Sequence, residues 1–174
     1  KEPSGDMYVG TWLKDKKHGE GTATSACGDL YEGHWMQDKQ TGRGAYTWAT
    51  GGVYEGDFVD GQRTGKGRYI WADGSLYQGD FIDGVRSGHG EKIYVNGEFY
   101  NGAWQEDRIT GIGRYSWKNG DAYEGSWLNG KRSGLGTFFK LGKEPIKGLW
   151  EKDKLVDSQD DTPAEGTTLN SDST

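Results

Sequence analysis

The segment Tyr77-Gln78-Gly79-Asp80-Phe81, followed by Gly88-His89-Gly90, belongs to a pattern that recurs every 23 residues along the chain. The first position of this pattern holds tyrosine six times without an insertion or deletion, and Ile146 stands at the seventh. A fixed period of this length is typical of a tandem array in which each unit packs on its neighbours. The tyrosines are Tyr8, Tyr31, Tyr54, Tyr77, Tyr100 and Tyr123.

Glycine occupies four fixed positions of the repeat, which together account for most of the 31 glycines. One lies two residues after the tyrosine, as Gly79 does, and a large aromatic residue such as Phe81 follows two residues later. The other three positions are represented by Gly74, Gly88 and Gly90. Glycines at fixed positions indicate structural roles and argue against a flexible glycine-rich linker.

The spacing between these fixed residues predicts strands. Their period is two, as in a β-strand, and no segment has apolar residues at helical spacing. Asp-Gly and Asn-Gly pairs, as in Ala72-Asp73-Gly74 and Lys118-Asn119-Gly120, favour tight hairpin turns, whereas the connection from Asp60 to Thr64 is expected to be a longer polar loop. The predicted fold is all-β: an elongated, continuous antiparallel β-meander built from 23-residue β-hairpin repeats.

The length of the tight turn decides which residues share a face of the sheet, because a slip of one residue moves every side chain to the other side. A two-residue loop places Tyr77 and Phe81 on the opposite face from Tyr69 and Trp71, whereas a three-residue loop ending in the glycine places all four together. We favour the three-residue loop because it collects the apolar positions on one side and leaves a polar face opposite. Glycines beside the aromatic residues then leave room for a ring to lie across the strand.

Composition divides the chain after Trp150. Residues 1–150 are predicted to form the repeat array, with six repeats and a C-terminal half repeat, and residues 151–174 an acidic, disordered tail. This tail has seven acidic and two basic side chains and therefore carries most of the net charge of -6. Because the array itself is close to neutral, its charge does not exclude an anionic partner.

The unit quoted above, from Tyr77 to Gly90, resembles the MORN (membrane occupation and recognition nexus) repeat, and the resemblance extends from about Gly5 to Trp150. It implies an elongated, single-layer, twisted β-sheet with an aromatic-lined groove. It also implies scaffolding roles in cilia, flagella and cytoskeletal collars and at membrane contacts, and roles as an accessory domain of lipid kinases and lysine methyltransferases.

The chain departs from the repeat pattern at a few positions. In the first unit Ala23 and Ser25 replace the two aromatic residues of the second strand, and in the fourth unit Lys92 replaces the first of them. The seventh unit is a half repeat preceded by Pro145. Irregular terminal units are common in repeat arrays, so the best-formed groove is expected between about Tyr31 and Trp127.

Aromatic rings on a preformed platform suit protein recognition, because they offer large apolar contacts at low entropic cost. The main hypothesis is a non-enzymatic scaffold or adaptor that binds a helical or extended segment of a partner protein in the aromatic groove. The opposing interpretation is that the rings pack only on glycines and on neighbouring repeats, with Trp48, Trp71 and Trp117 the most accessible because they flank the tight turns. Candidate partner-binding residues are Tyr31, Trp35, Trp48, Tyr54, Trp71, Tyr77, Trp104, Trp117 and Tyr123.

A second hypothesis is peripheral binding to anionic phospholipid membranes through cations of the longer loops. With one loop per unit, these cations would line one long edge of the sheet and could meet phosphate groups. Acidic residues in the same loops, such as Asp60 and Asp83, favour local charge cancellation instead. The cations are Lys16, Lys17, Lys39, Arg63, Arg86, Arg108, Lys131 and Arg132.

The sequence offers little support for catalysis. His18, His34 and His89 stand at different positions of their repeats and Cys27 stands alone, so the spacing of a zinc site is missing. Gly-x-Gly pairs such as Gly65-Lys66-Gly67 precede a strand, whereas phosphate binding requires a helix N-terminus. We predict that the chain is not an enzyme and has no cofactor, metal or nucleic-acid partner. A regulatory module of a larger enzyme, as the resemblance implies, is a third hypothesis.

The expected partner is a cytoskeletal, axonemal or motor-associated protein. An anionic membrane is the alternative, and a second copy of the chain could pair with the edge strands of an open meander. A single cysteine excludes an intramolecular disulfide framework, and no apolar run reaches the length of a membrane span. The expected location is the cytoplasm, in the cytoskeleton or in a cilium or flagellum, with membrane association under the lipid hypothesis.

Overall fold

The computed structural model describes residues 5–159 of the 174-residue chain. This part is an open antiparallel sheet of fourteen strands in chain order, without a helix, which confirms the predicted all-β meander. With neighbouring strands about 4.8 Å apart, the sheet is on the order of 60 Å long. The strands are β1 (Met7–Leu13), β2 (Lys16–Thr24), β3 (Leu30–Met36), β4 (Lys39–Thr47), β5 (Val53–Val59), β6 (Gln62–Ile70), β7 (Leu76–Ile82), β8 (Val85–Ile93), β9 (Phe99–Gln105), β10 (Arg108–Ser116), β11 (Ala122–Leu128), β12 (Lys131–Phe139), β13 (Ile146–Glu151) and β14 (Lys154–Ser158).

Three-residue turns join the even strands to the following odd strands. Between β6 and β7 the Trp71 N–H donates to the Ser75 carbonyl and the Gly74 N–H donates to the Trp71 carbonyl, both at 2.9 Å. Gly74 has a φ of 85°, which glycine adopts at little cost. Tyr69 stands directly opposite Tyr77, so the aromatic residues of both strands share one face and the predicted three-residue loop is confirmed. We call this face the aromatic face and the other the polar face.

Two-residue turns join the odd strands to the following even strands, where the prediction of a longer polar loop was wrong. Val59 pairs with Gln62, which leaves Asp60 and Gly61 in the turn with φ angles of 51° and 82°. Positive φ at both positions is characteristic of a type I′ turn, whose twist matches that of a hairpin. Asp60-Gly61 is itself an Asp-Gly pair of the kind that favours this turn, and the residues from Gln62 to Thr64 belong to β6.

Each even strand from β2 to β12 contains a bulge, and the bulge leaves the aromatic side chains on one face and the polar side chains on the other. Gly56 pairs with Gly67, but the next residue of β5, Asp57, pairs with Thr64. Strand β6 therefore contains two extra residues, and an even number preserves the alternation of side chains. As a result Arg63 lies on the aromatic face, with its guanidinium 5.7 Å from the centre of the Tyr54 ring.

The core of the sheet is a row of rings on the aromatic face. Each repeat tyrosine contacts, edge to face, the large aromatic of its own repeat and that of the next. For Tyr54 the ring centres lie 5.2 Å from Phe58 and 5.1 Å from Phe81. The same contacts continue across the sheet from Trp12 to Trp150. Tyr54 is thereby fully buried, at 0% exposure, in a sheet that has a single layer.

Paired glycines provide the surface on which each tyrosine ring lies. A methyl group placed on Gly67, or on Gly56 opposite it, would overlap the ring of Tyr54. The Tyr54 hydroxyl reaches past the glycines and donates to the Asp57 carbonyl at 3.1 Å. Burial raises the pKa of Tyr54 to about 12, so the hydroxyl keeps its proton at neutral pH and remains a donor. The room predicted for a ring across the strand is therefore present.

The array extends beyond the boundary predicted at residue 150. The prediction assigned residues 151–158 to a disordered tail, but β14 pairs with β13 and completes a seventh hairpin. Leu155 accounts for this strand, because its side chain covers Gly148 where a tyrosine ring lies in other repeats. Asp153 in the turn also accepts a 2.9 Å hydrogen bond from the Arg132 N–H. The rest of the predicted tail, residues 160–174, lies outside the described residues.

We expect Gly67→Ala to lower the free energy of unfolding by about 2 kcal/mol, because the added methyl group must displace the Tyr54 ring from a packed row. Gly84→Ala is the matched control, since Gly84 lies in a two-residue turn with no atom within 4 Å of an added Cβ. Its positive φ of 83° should cost only about 1 kcal/mol. Urea unfolding followed by tryptophan fluorescence measures both, and equal losses would contradict the steric role of the ring.

Candidate functional site

The structure places all nine predicted partner-binding rings on the aromatic face, but it buries most of them. Trp48, Trp71 and Trp117 are half-buried and lie beside the three-residue turns, as expected. The other six are at most 7% exposed and belong to the core. These six are Tyr31, Trp35, Tyr54, Tyr77, Trp104 and Tyr123. A partner on this face would therefore meet the three tryptophans first, above a floor formed by the core.

Three arginines lie among the rings of the aromatic face. The guanidinium carbon of Arg86 is 4.4 Å from the centre of the Trp104 ring, and its Nε donates to Asp107 Oδ1 at 2.7 Å. Arg63 and Arg132 occupy the same repeat position and contact four rings each. We call this position the arginine column. Its guanidinium groups fill the spaces between rings of successive repeats.

The predicted lipid-binding cations do not form one stripe along an edge, because successive residues after the two-residue turn point to opposite faces. Lys39 lies on the polar face and pairs with Asp60 at 3.1 Å, whereas the Lys17 ammonium lies 5.5 Å from the Tyr8 ring on the aromatic face. By register, the polar-face members are Lys16, Lys39, Arg108 and Lys131. The members on the aromatic face are Lys17, Arg63, Arg86 and Arg132.

A groove of about 660 Å³ opens in the aromatic face between the fourth and sixth repeats. The half-buried Trp71 and Trp117 form its walls, and the buried Trp104, Ile109 and Trp127 form its floor. Ile109 stands in the arginine column but has no guanidinium to fill the space between the rings. The groove therefore lies where the arginine column is interrupted.

A depression of about 960 Å³ on the polar face is larger but chemically less suited to binding a protein. Its floor is glycine backbone, and its rim is formed by ion pairs such as His34 with Glu20 at 2.8 Å and Lys66 with Asp80 at 2.5 Å. Exposed ion pairs of this kind contribute little free energy, and the depression offers no Trp, Tyr or Phe ring. We therefore take the groove on the aromatic face as the candidate site.

Lys92 lines this groove and is only 7% exposed. Its ammonium lies 3.1 Å from the centre of a Trp71 ring and donates to Ser75 Oγ at 3.4 Å. Burial, with a smaller contribution from the positive charge of Arg86, lowers the pKa of Lys92 to about 8. Neither Lys92 nor Ile109 was among the predicted site residues. Their sequence signal was the departure of each from the repeat pattern.

Residues 5–159 show neither of two features that would indicate another kind of site, a metal-binding cluster or a membrane-spanning helix. No group of three or more His, Cys, Asp or Glu side chains there is arranged to hold a metal ion. Those residues also contain no helix with the length and apolarity of a membrane span. Cys27 is exposed, with its Sγ 3.0 Å from Ser25 Oγ.

The family model for the MORN repeat matches six successive segments of the chain. They are residues 8–29, 31–53, 54–76, 77–99, 100–122 and 123–140. Among solved structures, the chain is similar to the SAS-4 (dCPAP) TCP domain in complex with a proline-rich motif of Ana2 (dSTIL) of Drosophila melanogaster. The TM-score is 0.51 at 12% identity, covering 83% of this chain and 77% of that one, so the likeness concerns the fold alone. A search of curated proteins found no match.

We expect Lys92→Met to be more stable than the wild-type protein, by a margin that shrinks as the pH rises. The folded state holds the Lys92 proton up to about pH 8, and the unfolded state up to pH 10.5. The unfolded state therefore binds more protons in this window, and wild-type stability rises with pH. The margin should fall by about 2 kcal/mol between about pH 8 and pH 10.

Urea unfolding at each pH measures this margin. Lys66→Met is the matched control, because it makes the same substitution at an exposed ammonium on the polar face. A margin for Lys92→Met that does not change with pH would contradict the burial of a charged amine in the groove.

Proposed function

The chain belongs to the MORN repeat family, and we propose that it is a non-enzymatic scaffold or adaptor that binds a helical or extended segment of a partner protein. Repeats of this family form protein- or membrane-binding modules. The groove between Trp71 and Trp127 is the observation that supports the proposal. Its rings are held in place by the fold, so they lose little conformational entropy on binding and can contribute strongly to affinity.

The arrangement of strands suits a long ligand. Half-buried tryptophans recur on the aromatic face at intervals of a whole repeat or a multiple of it, at Trp48, Trp71 and Trp117. A single segment lying across the strands would contact several of these rings in turn. The structural neighbour, whose complex contains a proline-rich motif of another protein, supports the use of such a sheet for binding peptides.

The family resemblance supports a proposal for the setting of this interaction. We place the partner among cytoskeletal, axonemal or motor-associated proteins, and the chain in the cytoplasm, in the cytoskeleton or in a cilium or flagellum. MORN repeats are non-enzymatic binding repeats, so a role as regulatory module of a larger enzyme would use the same groove. Strands β1 and β14 are the two edges of the described sheet, and pairing of copies through them is compatible with the proposed function.

We expect Trp117→Ala to weaken partner binding about thirtyfold, the effect of losing a side chain worth about 2 kcal/mol, in a variant that still folds but with lower thermal stability, because the ring also packs on Tyr115 and Phe138. The measurement is a quantitative pull-down from cytoplasmic extract with the intact array and the variant, together with thermal unfolding. Phe139→Ala is the control, because this ring lies on the polar face beside Arg114 and should not affect the partner. A folded Trp117→Ala variant that retains the same partners would contradict the proposal.

A second candidate is peripheral binding to anionic membranes, favoured by exposed aliphatic side chains on the polar face. Met36 is 52% exposed and pairs with Lys39, and Leu128 is 58% exposed and pairs with Lys131. Aliphatic and basic side chains that alternate in one row suit a membrane surface, because the first can insert between lipids while the second meets phosphates. The arginines of the aromatic face are occupied by rings and acidic neighbours, so this row is the better basis for lipid binding.

If this candidate is correct, Lys39→Glu combined with Lys131→Glu should weaken binding to vesicles of phosphatidylcholine and phosphatidylserine at least about tenfold, since each basic residue contributes about 1 kcal/mol. Sedimentation at low and moderate salt measures the binding. Lys66→Glu combined with Lys118→Glu makes the same charge change outside the row. Equal losses in the two double variants would indicate a general charge effect and contradict a membrane-binding row.

A further inference from the structure

Ser75 stands at a repeat position that holds a carboxylate elsewhere, as at Asp29 and Glu98, with Gly52 as the other exception. Tyr115 donates to Glu98 Oε2 at 2.6 Å. One repeat earlier, the donor position holds Lys92 and the acceptor position holds Ser75. Ser75 is 5% exposed, and its hydroxyl already donates to Asp73 Oδ1 at 2.7 Å. Lys92 is thus a cationic donor at the position where Tyr115 is a neutral one, and its direct acceptor is a hydroxyl group in place of a carboxylate.

Among residues 5–159 the buried Lys92 ammonium makes no direct ion pair. It makes one hydrogen bond, of 3.4 Å to Ser75, and lies over the Trp71 ring. The Asp73 carboxylate, which accepts from Ser75, attracts the ammonium through its charge without pairing with it. An ammonium group has three donors, and a buried charge without a direct ion pair is costly. A carboxylate that entered the groove would provide this direct ion pair.

The interruption of the arginine column creates an apolar space beside Lys92. Arg63 shows how the column is normally filled, because its guanidinium lies among four rings and donates to the Gly84 carbonyl at 2.6 Å. At Ile109 this group is missing, and Tyr94 and Trp127 line the open space instead. An apolar side chain that entered this space would bury area against rings on several sides.

The charges around the groove favour an anionic ligand. The cations that line it are Arg86, Lys92 and Arg108, and Asp107 is its one acidic residue within the described part of the chain. Asp107 is already paired with Arg86 at 2.7 Å. By register the Arg108 side chain belongs to the polar face, so Lys92 is the cation on this side of the sheet that has no ion pair with a residue lining the groove.

We propose that the groove recognises an acidic segment of a partner protein, in which an Asp or Glu carboxylate pairs with Lys92 and an apolar side chain packs on Ile109. This inference rests on the proposed function, because both residues line the same groove. Ile109 pairs with Trp104, and Trp104 pairs with Gly88, four residues from Lys92. At about 3.3 Å per residue, the two anchor points are about 13 Å apart along the strands, and β8 and β10 lie two strand spacings, about 10 Å, apart across them. The resulting distance of about 16 Å spans about five residues of an extended segment or about three turns of a helix.

The test begins with a displayed library of random peptides selected on the wild-type array, followed by fluorescence polarisation with synthetic copies of the selected peptides. These peptides should share an acidic and an apolar residue at a fixed spacing. Changing the acidic residue of a peptide to its amide should weaken binding to the wild-type array at least about tenfold. The same change in the peptide should alter its binding to the Lys92→Tyr variant by less than about twofold, because that variant no longer has the Lys92 ammonium with which the carboxylate pairs.

Two arginine substitutions provide a matched pair. Ile109→Arg should fill the space as Arg63 does and weaken every selected peptide at least about tenfold. Gln40→Arg makes the same kind of substitution in the arginine column outside the groove and should leave binding unchanged. Both variants, like Lys92→Tyr, introduce the residue that other repeats carry at the position, and thermal unfolding verifies that they fold.

The outcomes separate this inference from the proposed function. Peptides that depend on Trp117 but not on their acidic residue or on Lys92 would overturn the inference and leave the groove as a peptide-binding site. Peptides unaffected by Ile109→Arg would overturn the role of Ile109 as the apolar anchor point. A selection that yields no peptide dependent on Trp117 would count against both the inference and the proposed function.

Discussion

Each tyrosine of the array lies over two paired glycines and donates its hydroxyl to a carbonyl three residues further along its own strand, as Tyr54 does to Asp57. This contact constrains the rest of the fold. It requires glycine at the centre of every pair of strands, and it requires all rings to lie on one face. The three-residue turns and the bulges of two extra residues both satisfy the second requirement. The ring row then serves as the second layer that a sheet normally needs to bury its apolar side.

Much of this fold could be predicted from the sequence, because each local pattern of strand and turn residues recurs in successive repeats. The 23-residue period and the strand spacing predict the meander, and the turn argument predicts the shared face that the register of Tyr69 and Tyr77 confirms. The two-residue turns were missed for two reasons. The Asp60-Gly61 pair was assigned to a longer connection although Asp-Gly favours a tight turn, and the polar extra residues of the bulge resemble a loop in sequence. The last strand was missed because residues 152–158 contain neither the glycines nor the aromatic residues that mark the other even strands.

The candidate site was less predictable than the fold. Residue type marks both Tyr54 and Trp117 as binding candidates, and only the packing of neighbouring repeats shows that the first is buried and the second half-exposed. Lys92 and Ile109 are visible in sequence only as departures from the pattern. Their position in one groove depends on the pairing of β8, β9 and β10, which sequence spacing alone does not reveal. In this array the residues that follow the repeat pattern form the sheet and its row of rings. The residues that depart from the pattern, Lys92 and Ile109, give the groove its buried charge and its apolar floor.

The order of the strands has a mechanical consequence. The two edges of the described sheet are β1 and β14, and the interstrand hydrogen bonds run perpendicular to the strands, along the long axis of the sheet. Tension between the two ends therefore pulls along these bonds and opens one pair of strands at a time, as a zipper opens, instead of shearing a whole row at once. The five-residue β14 has the fewest bonds to break. Under load the array would lengthen stepwise from that end, as an extensible tether rather than a rigid strut.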